Sequence, residues 1–171
     1  MSKIQIIIGL SDPKSASNVG ATLRAAGCYG VDKVIYTGKR YDRAVKLNTD
    51  TKKIKSRIPL IAVNDLLENK NADTKIICVD LIEGAMPLPN FKHPNNALYL
   101  FGPEDGTLSQ HLIDKADAVV YIPTQGCMNL AATINVVLYD RLAKSTQHIT
   151  DNQLIRASRD NNNRVKIKHK K

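Results

Sequence analysis

The stretch Ala97-Leu98-Tyr99-Leu100-Phe101-Gly102-Pro103-Glu104-Asp105-Gly106 decides the architecture. A short, unbroken run of large apolar side chains that ends in Gly and Pro reads as a buried strand feeding a loop. Working outward, Lys3 to Ile8, Lys33 to Thr37, Lys75 to Leu81 and Ala118 to Ile122 carry the same strand signature. Helical periodicity falls near them at Asn18 to Cys28, Val63 to Glu68, Leu108 to Lys115 and Asn129 to Lys144. Strands alternating with helices predict an α/β fold, a mainly parallel sheet flanked by helices, with ligands at the strand C-terminal ends. Ser15, Ser17 and Asn18 are each able to cap the first helix. From about Thr150 the chain becomes Asn-rich and then Lys-rich, so a domain over residues 1–150 and a basic tail over 151–171 are expected.

The 171 residues, 43% of them hydrophobic, suit one domain with a real core. The apolar run Ile4 to Leu10 is too short for a membrane span or a secretory leader. Cys28, Cys78 and Cys127 are odd in number and lack C-x-x-C spacing, which argues against a disulfide framework and a zinc site, so a reducing cytoplasm and no metal are expected. The net charge of +9 is concentrated in two segments. Lys39 to Arg57 has eight basic and two acidic residues, and Arg156 to Lys171 has seven basic and one acidic. Each segment is therefore +6, the remainder is net acidic, and a polyanion is the natural partner. Lys39, Arg40, Arg43, Lys52 and Lys53 are the RNA-binding candidates, and Tyr36 and Tyr41 offer rings for stacking on bases.

Three constellations follow strands. In Asn18-Val-Gly20-Ala-Thr-Leu-Arg24, Gly20 and Arg24 share a helix face where a phosphate or ribose would fit, although a capped helix with a surface Arg has the same pattern. In Gly102-Pro103-Glu104-Asp105-Gly106 the two glycines permit unusual backbone conformations. The segment reads as a binding loop, or as a plain turn whose Glu104 caps the helix near Leu108. Ile122-Pro123-Thr-Gln-Gly126-Cys127-Met128-Asn129 is a strand end and loop before a helix that Asn129 is able to cap.

Together, in this order and spacing over residues 4 to 145, these segments resemble the three signature motifs of the TrmH/SpoU-like RNA 2'-O-ribose methyltransferases of the SPOUT superfamily. The resemblance implies a C-terminal trefoil knot, an exception to the rule against knotted chains. It also implies an obligate homodimer whose helices include Asn129 to Lys144, with S-adenosyl-L-methionine as cofactor. By motif position it makes Asn18, Arg24, Glu104 and Asn129 the catalytic and orienting set, and Leu81, Gly102, Ile122, Gly126 and Met128 the cofactor-binding set. Cys127 stands where many relatives have Ser.

Under this resemblance the reaction is methyl transfer to a ribose 2'-hydroxyl, with tRNA a better match in size than ribosomal RNA. Arg24 is expected to orient ribose and phosphate, because a guanidinium with pKa above about 12 is not a base. A catalytically retired RNA-binding module of the same fold is the alternative. A nucleotide-dependent oxidoreductase would need a G-x-G-x-x-G turn where the chain has Gly9-Leu-Ser-Asp-Pro-Lys-Ser.

Overall fold

The computed structural model describes residues 4–47, 58–68, 70–145, 152–159, 165 and 167. In chain order the elements are β1 (Ile6–Leu10), α1 (Ala16–Cys28), β2 (Lys33–Tyr36), α2 (Arg40–Leu47), β3 (Leu60–Ala62), β4 (Lys75–Val79), β5 (Met86–Pro87), β6 (Ala97–Phe101), α3 (Gln110–Asp114), β7 (Ala118–Tyr121), α4 (Leu130–Ala143) and α5 (Asn152–Ser158). Seven strands form one sheet in the order β3-β2-β1-β6-β4-β7-β5. Each neighbouring pair is parallel.

The expected α/β architecture is present, and strand alternation builds its two cores. On one face Ile8, Leu10, Tyr99 and Phe101 pack with Val19 and Ala25 of α1 and Ile134, Val137 and Leu138 of α4. On the other, Ile7, Leu98 and Leu100 join Leu66, Leu108 and Leu112. All five residues of β6 are at most 1% exposed, as a strand covered on both faces requires.

Several local expectations are corrected. Val63 to Glu68 is a turn, not a helix. Its Val63, Leu66 and Leu67 spacing imitates a helix, but Asp65 accepts from the Leu67 amide at 2.8 Å and closes a local turn instead. The basic segment Lys39 to Arg57 contains α2, and α5 lies within residues 151–171. β3 and β5 have three and two residues, too short for a periodic signal. Tyr36 is buried, donates to Asp42 at 2.7 Å and has its phenol pushed up to about 12, first by burial and then by Asp42. Tyr41 packs edge-on against it, so Tyr36 is not a stacking surface for bases. All three cysteines are free.

The sheet order reverses direction at β1 and β6, which is where a doubly wound sheet opens a crevice at its strand C-terminal ends. The Asp80 to Ala85 connection crosses from β4 to β5 although β7 lies between them. This order is consistent with the expected knot.

The far end of α4 is fixed by a buried polar chain. Arg141 donates to the Tyr99 hydroxyl at 3.0 Å, and that hydroxyl lies 2.6 Å from His93 Nδ1. Nε2 of His93 is 2.8 Å from Asp140, which also pairs with Lys144 at 2.7 Å. Because the Asp140 carboxylate only accepts, the neutral ring donates Nε2–H to it, and its Nδ1 accepts from the Tyr99 hydroxyl. Burial lowers the His93 pKa, outweighing Asp140, while Arg141 and Lys144 act in the same direction as burial. A depressed histidine contributes stability above its unfolded pKa of about 6.5 and loses it as pH falls through the native value. Urea unfolding is therefore expected to show a fall in stability below about pH 6.5 that His93→Gln lacks. Equal pH slopes in the two proteins would contradict this role.

Candidate functional site

Helix α1 begins with Ser15, whose Oγ accepts from the Asn18 amide at 3.3 Å. The cap is thus Ser15, and the Asn18 side chain is left free to turn outward. Its Nδ2 donates to Glu104 Oε1 at 3.0 Å, and its Oδ1 accepts from Asn129 Nδ2 at 2.9 Å. Asn129 in turn caps α4, with Oδ1 accepting from the amides of Ala131 at 2.9 Å and Ala132 at 3.4 Å. One hydrogen-bonded line therefore joins Glu104, Asn18 and Asn129 across 86 and 111 residues of sequence.

Glu104 does not cap the helix near Leu108. Its carboxylate accepts from the Lys14 amide at 2.8 Å and the Ser15 amide at 3.0 Å, immediately before α1. A carboxylate there meets both the unpaired amides and the positive end of the helix dipole. Burial acts to raise its pKa, but hydrogen bonds from Asn18 and from the Lys14, Glu104 and Ser15 amides outweigh this, and the pKa is lowered. With its oxygens engaged and its charge stabilised, Glu104 holds the loop and orients Asn18 and is a poor general base.

Arg24 lies on the exposed side of α1 with Gly20, beside which an added Cβ would meet nothing within 4 Å. The guanidinium forms no hydrogen bond or ion pair among the described residues, so it is available to a ligand.

Next to the motif network is a cleft formed by three strand-end loops. Asp80 and Leu81 follow β4, Gly102 to Gly106 follow β6, and Ile122 to Met128 follow β7. Leu81, Gly102, Ile122 and Met128 line it with Phe101, Leu130, Cys127 and Glu104. Gly126 does not; it has φ of 104° and its carbonyl accepts from Thr124 at 2.8 Å, shaping the loop from outside. Gly102 is needed for space and not for its torsions, since a Cβ there would lie 3.1 Å from the Leu108 amide nitrogen and 3.3 Å from Asp80. Neither Gly102 nor Gly106 has positive φ.

The linear reading missed Asp80. One oxygen accepts from the Leu81 amide and the other from the Leu108 amide, both at 2.8 Å, so one carboxylate joins two walls of the cleft. Its charge near the end of the apolar run Lys75 to Leu81 was the available signal, and the structure ends β4 just before it, at Val79. Among the RNA-binding candidates, Lys39 and Arg43 are exposed. The Arg40 guanidinium is instead held by Asp105 at 2.8 Å and 2.9 Å and by Asp12 at 3.4 Å. Lys52 and Lys53 lie outside the described residues.

With this geometry in view, the comparisons with known proteins are specific. A 23S rRNA (guanosine-2'-O-)-methyltransferase, RlmB of Acinetobacter baylyi, is 24% identical over 147 residues, covering 79% of this chain and 58% of that protein. This chain thus spans little more than half the length of that relative. The SpoU methyltransferase AviRb from Streptomyces viridochromogenes, solved with AdoMet, has a TM-score of 0.68 at 20% identity over 84% of this chain and 59% of that one. A structure described as giving insight into 2-OH methylation of C/U34 on tRNA has a TM-score of 0.66 at 17% identity, covering 84% of this chain and 97% of that one. Residues 5–139, which contain all three constellations and every strand of the sheet, match the family model of the SpoU rRNA Methylases, and the chain belongs to that family.

Proposed function

We propose that this chain transfers a methyl group from S-adenosyl-L-methionine to a ribose 2'-hydroxyl of RNA. The observation that carries this reading is the Glu104, Asn18 and Asn129 line beside a cleft at the strand C-terminal ends. The cleft suits the cofactor by its chemistry. Apolar side chains such as Leu81, Phe101, Ile122 and Met128 line it together with polar groups that include two carboxylates, Asp80 and Glu104, and no Lys, Arg or His is in its lining among the described residues. Such a lining favours a flat base and a sulfonium cation over a phosphate-bearing nucleotide. A relative solved with AdoMet supports the same choice.

When bound, the cofactor supplies an electrophilic methyl whose C–S bond breaks as the 2'-oxygen forms a new C–O bond, the sulfur keeping the electron pair. Attack on a cation by a neutral hydroxyl calls for alignment more than for charge stabilisation. Leu81, Ile122 and Met128 would hold the cofactor's apolar parts, and Gly102 lets the Leu108 backbone and Asp80 close against the wall of the cleft. Asn18 and Arg24 orient ribose and phosphate, with Asn18 held by Glu104 and Asn129. The hydroxyl proton leaves late, toward the adjacent phosphate.

Transfer RNA is the preferred substrate class. The tRNA-related neighbour is matched over nearly its whole length, so a domain of this size suffices in that comparison. The likeness to RlmB favours ribosomal RNA as the second reading. Lys39, Arg43, Lys52, Lys53 and the basic segment after Arg159 supply the polyanion contacts in this reading. The functional unit is a knotted homodimer. Tyr139 is 60% and Leu142 49% exposed on α4, leaving an apolar stripe for a second copy. Three free cysteines suit the cytoplasm.

Labelled methyl is expected to appear as 2'-O-methylnucleoside in total RNA from cells lacking the protein, and Arg24→Ala is expected to lower the rate by about 100-fold. Cofactor binding without any labelled RNA would favour the retired binding module. Removing residues 160–171 is expected to weaken RNA binding and flatten its salt dependence while sparing cofactor affinity. An unchanged salt slope would contradict a role for that segment.

A further inference from the structure

Three loops meet at the mouth of the site: Ser11 to Ser15 after β1, Thr37 to Lys39 after β2, and Pro103 to Gly106 after β6. Arg40 opens α2 and points back into this junction. Its guanidinium engages both oxygens of Asp105, at 2.8 Å and 2.9 Å, and reaches Asp12 at 3.4 Å. Lys14 adds a 3.5 Å contact to the same Asp105. Both Asp105 contacts come from Nη2 while Nη1 reaches Asp12, so one planar guanidinium spans two carboxylates and fixes direction as a single point charge does not.

The backbone around the pair is equally close. Asp12 has φ of 42°, a left-handed conformation for a residue other than glycine. Gly38 has φ of 80°, and a Cβ there would lie 1.9 Å from Asp12 Oδ1. The Asp12 amide donates to Thr37 Oγ1 at 3.3 Å. The β1 and β2 loops are thus interlocked, and Arg40 ties them to Asp105, the residue next to Glu104.

We propose that Arg40 and Asp105 form a latch that positions Glu104 and, through it, Asn18, so that Arg40 is a positioning residue and not an RNA-binding cation. Glu104 and Asp105 are consecutive, and they hold the segment before α1 from two sides: Glu104 on the Lys14 and Ser15 amides, Asp105 on Lys14 Nζ and Arg40. Releasing Asp105 frees the loop that carries Glu104. Asn18 then loses the partner that aims it. The neighbouring Lys39 and Arg43 stay exposed for phosphate.

The catalytic part of this inference rests on the proposed methyl transfer, so its test has a readout that needs no activity. In the full chain, the Asn18 side-chain amide signal, assigned by its loss in Asn18→Ala, reports the bond to Glu104 directly. Arg40→Ala, Arg40→Lys and Asp105→Ala are all expected to shift that signal in the same direction. With total RNA from cells lacking the protein as the probe, each is expected to slow single-turnover transfer at saturating RNA about tenfold. RNA affinity and its salt slope are expected to stay within about twofold, and the Arg40→Ala, Asp105→Ala double variant to be no slower than the slower single one.

An unmoved Asn18 signal in Arg40→Ala would overturn the latch. So would weaker RNA binding with a salt slope reduced by about one, restored by Arg40→Lys, since that is the behaviour of a phosphate contact. Absence of transfer by the wild-type protein would count against the methyltransferase reading, while the amide signal would still decide the latch.

Discussion

The carboxylate of Glu104 on the two amides that precede α1 is the interaction on which the site depends. Those amides have no partner within the helix, and an anion from a distant loop supplies one. The same carboxylate takes the Asn18 side-chain N–H, leaving the Asn18 carbonyl to receive Asn129. Asn129 is the cap of α4, so the starts of two helices and one strand-end loop share a single line of hydrogen bonds. Displacing any member removes the partner that aims another, so the geometry of the whole line goes with it.

The sheet makes this meeting possible. β1 and β6 are parallel neighbours, so the loops that follow them emerge side by side although about 90 residues separate them. β4 and β7 lie next in the order and bring Asp80 and Ile122 to the same edge. Because both faces of the central strands β1 and β6 are covered, their ends are the parts left for a ligand. The network is polar, and the adjoining cleft combines apolar side chains with two carboxylates. That division suits a reaction in which one partner must be aimed and the other merely enclosed.

What the sequence carried, and what it did not, follows from the range of each signal. The apolar run Ala97–Phe101 gave a strand because burial on both faces leaves a local mark. Asn18, Glu104 and Asn129 were legible as motif members, but the bonds that join them were not. Glu104 looked suited to the nearest helix and instead serves one that starts nearly 90 residues earlier. Arg40 illustrates the same limit: within a cluster of like charges it reads as a phosphate contact, while Asp105 lies 65 residues away in sequence. Val63 to Glu68 failed for the opposite reason, since three apolar residues at helical spacing are outweighed by one Asp that closes a turn. Asp80 gave no periodic or compositional signal, and only its place at a strand end marks it.

The most direct test of a single hydrogen-bonded unit is a double-mutant cycle between Asn18 and Asn129 in the rate of methyl transfer. Asn129→Asp keeps the oxygen that caps α4 and removes the N–H that Asn18 receives. The account predicts that this change slows transfer at least about fivefold in the wild-type background and less than about twofold in Asn18→Ala. Equal slowing in both backgrounds would mean that the two asparagines act independently, and would contradict the account.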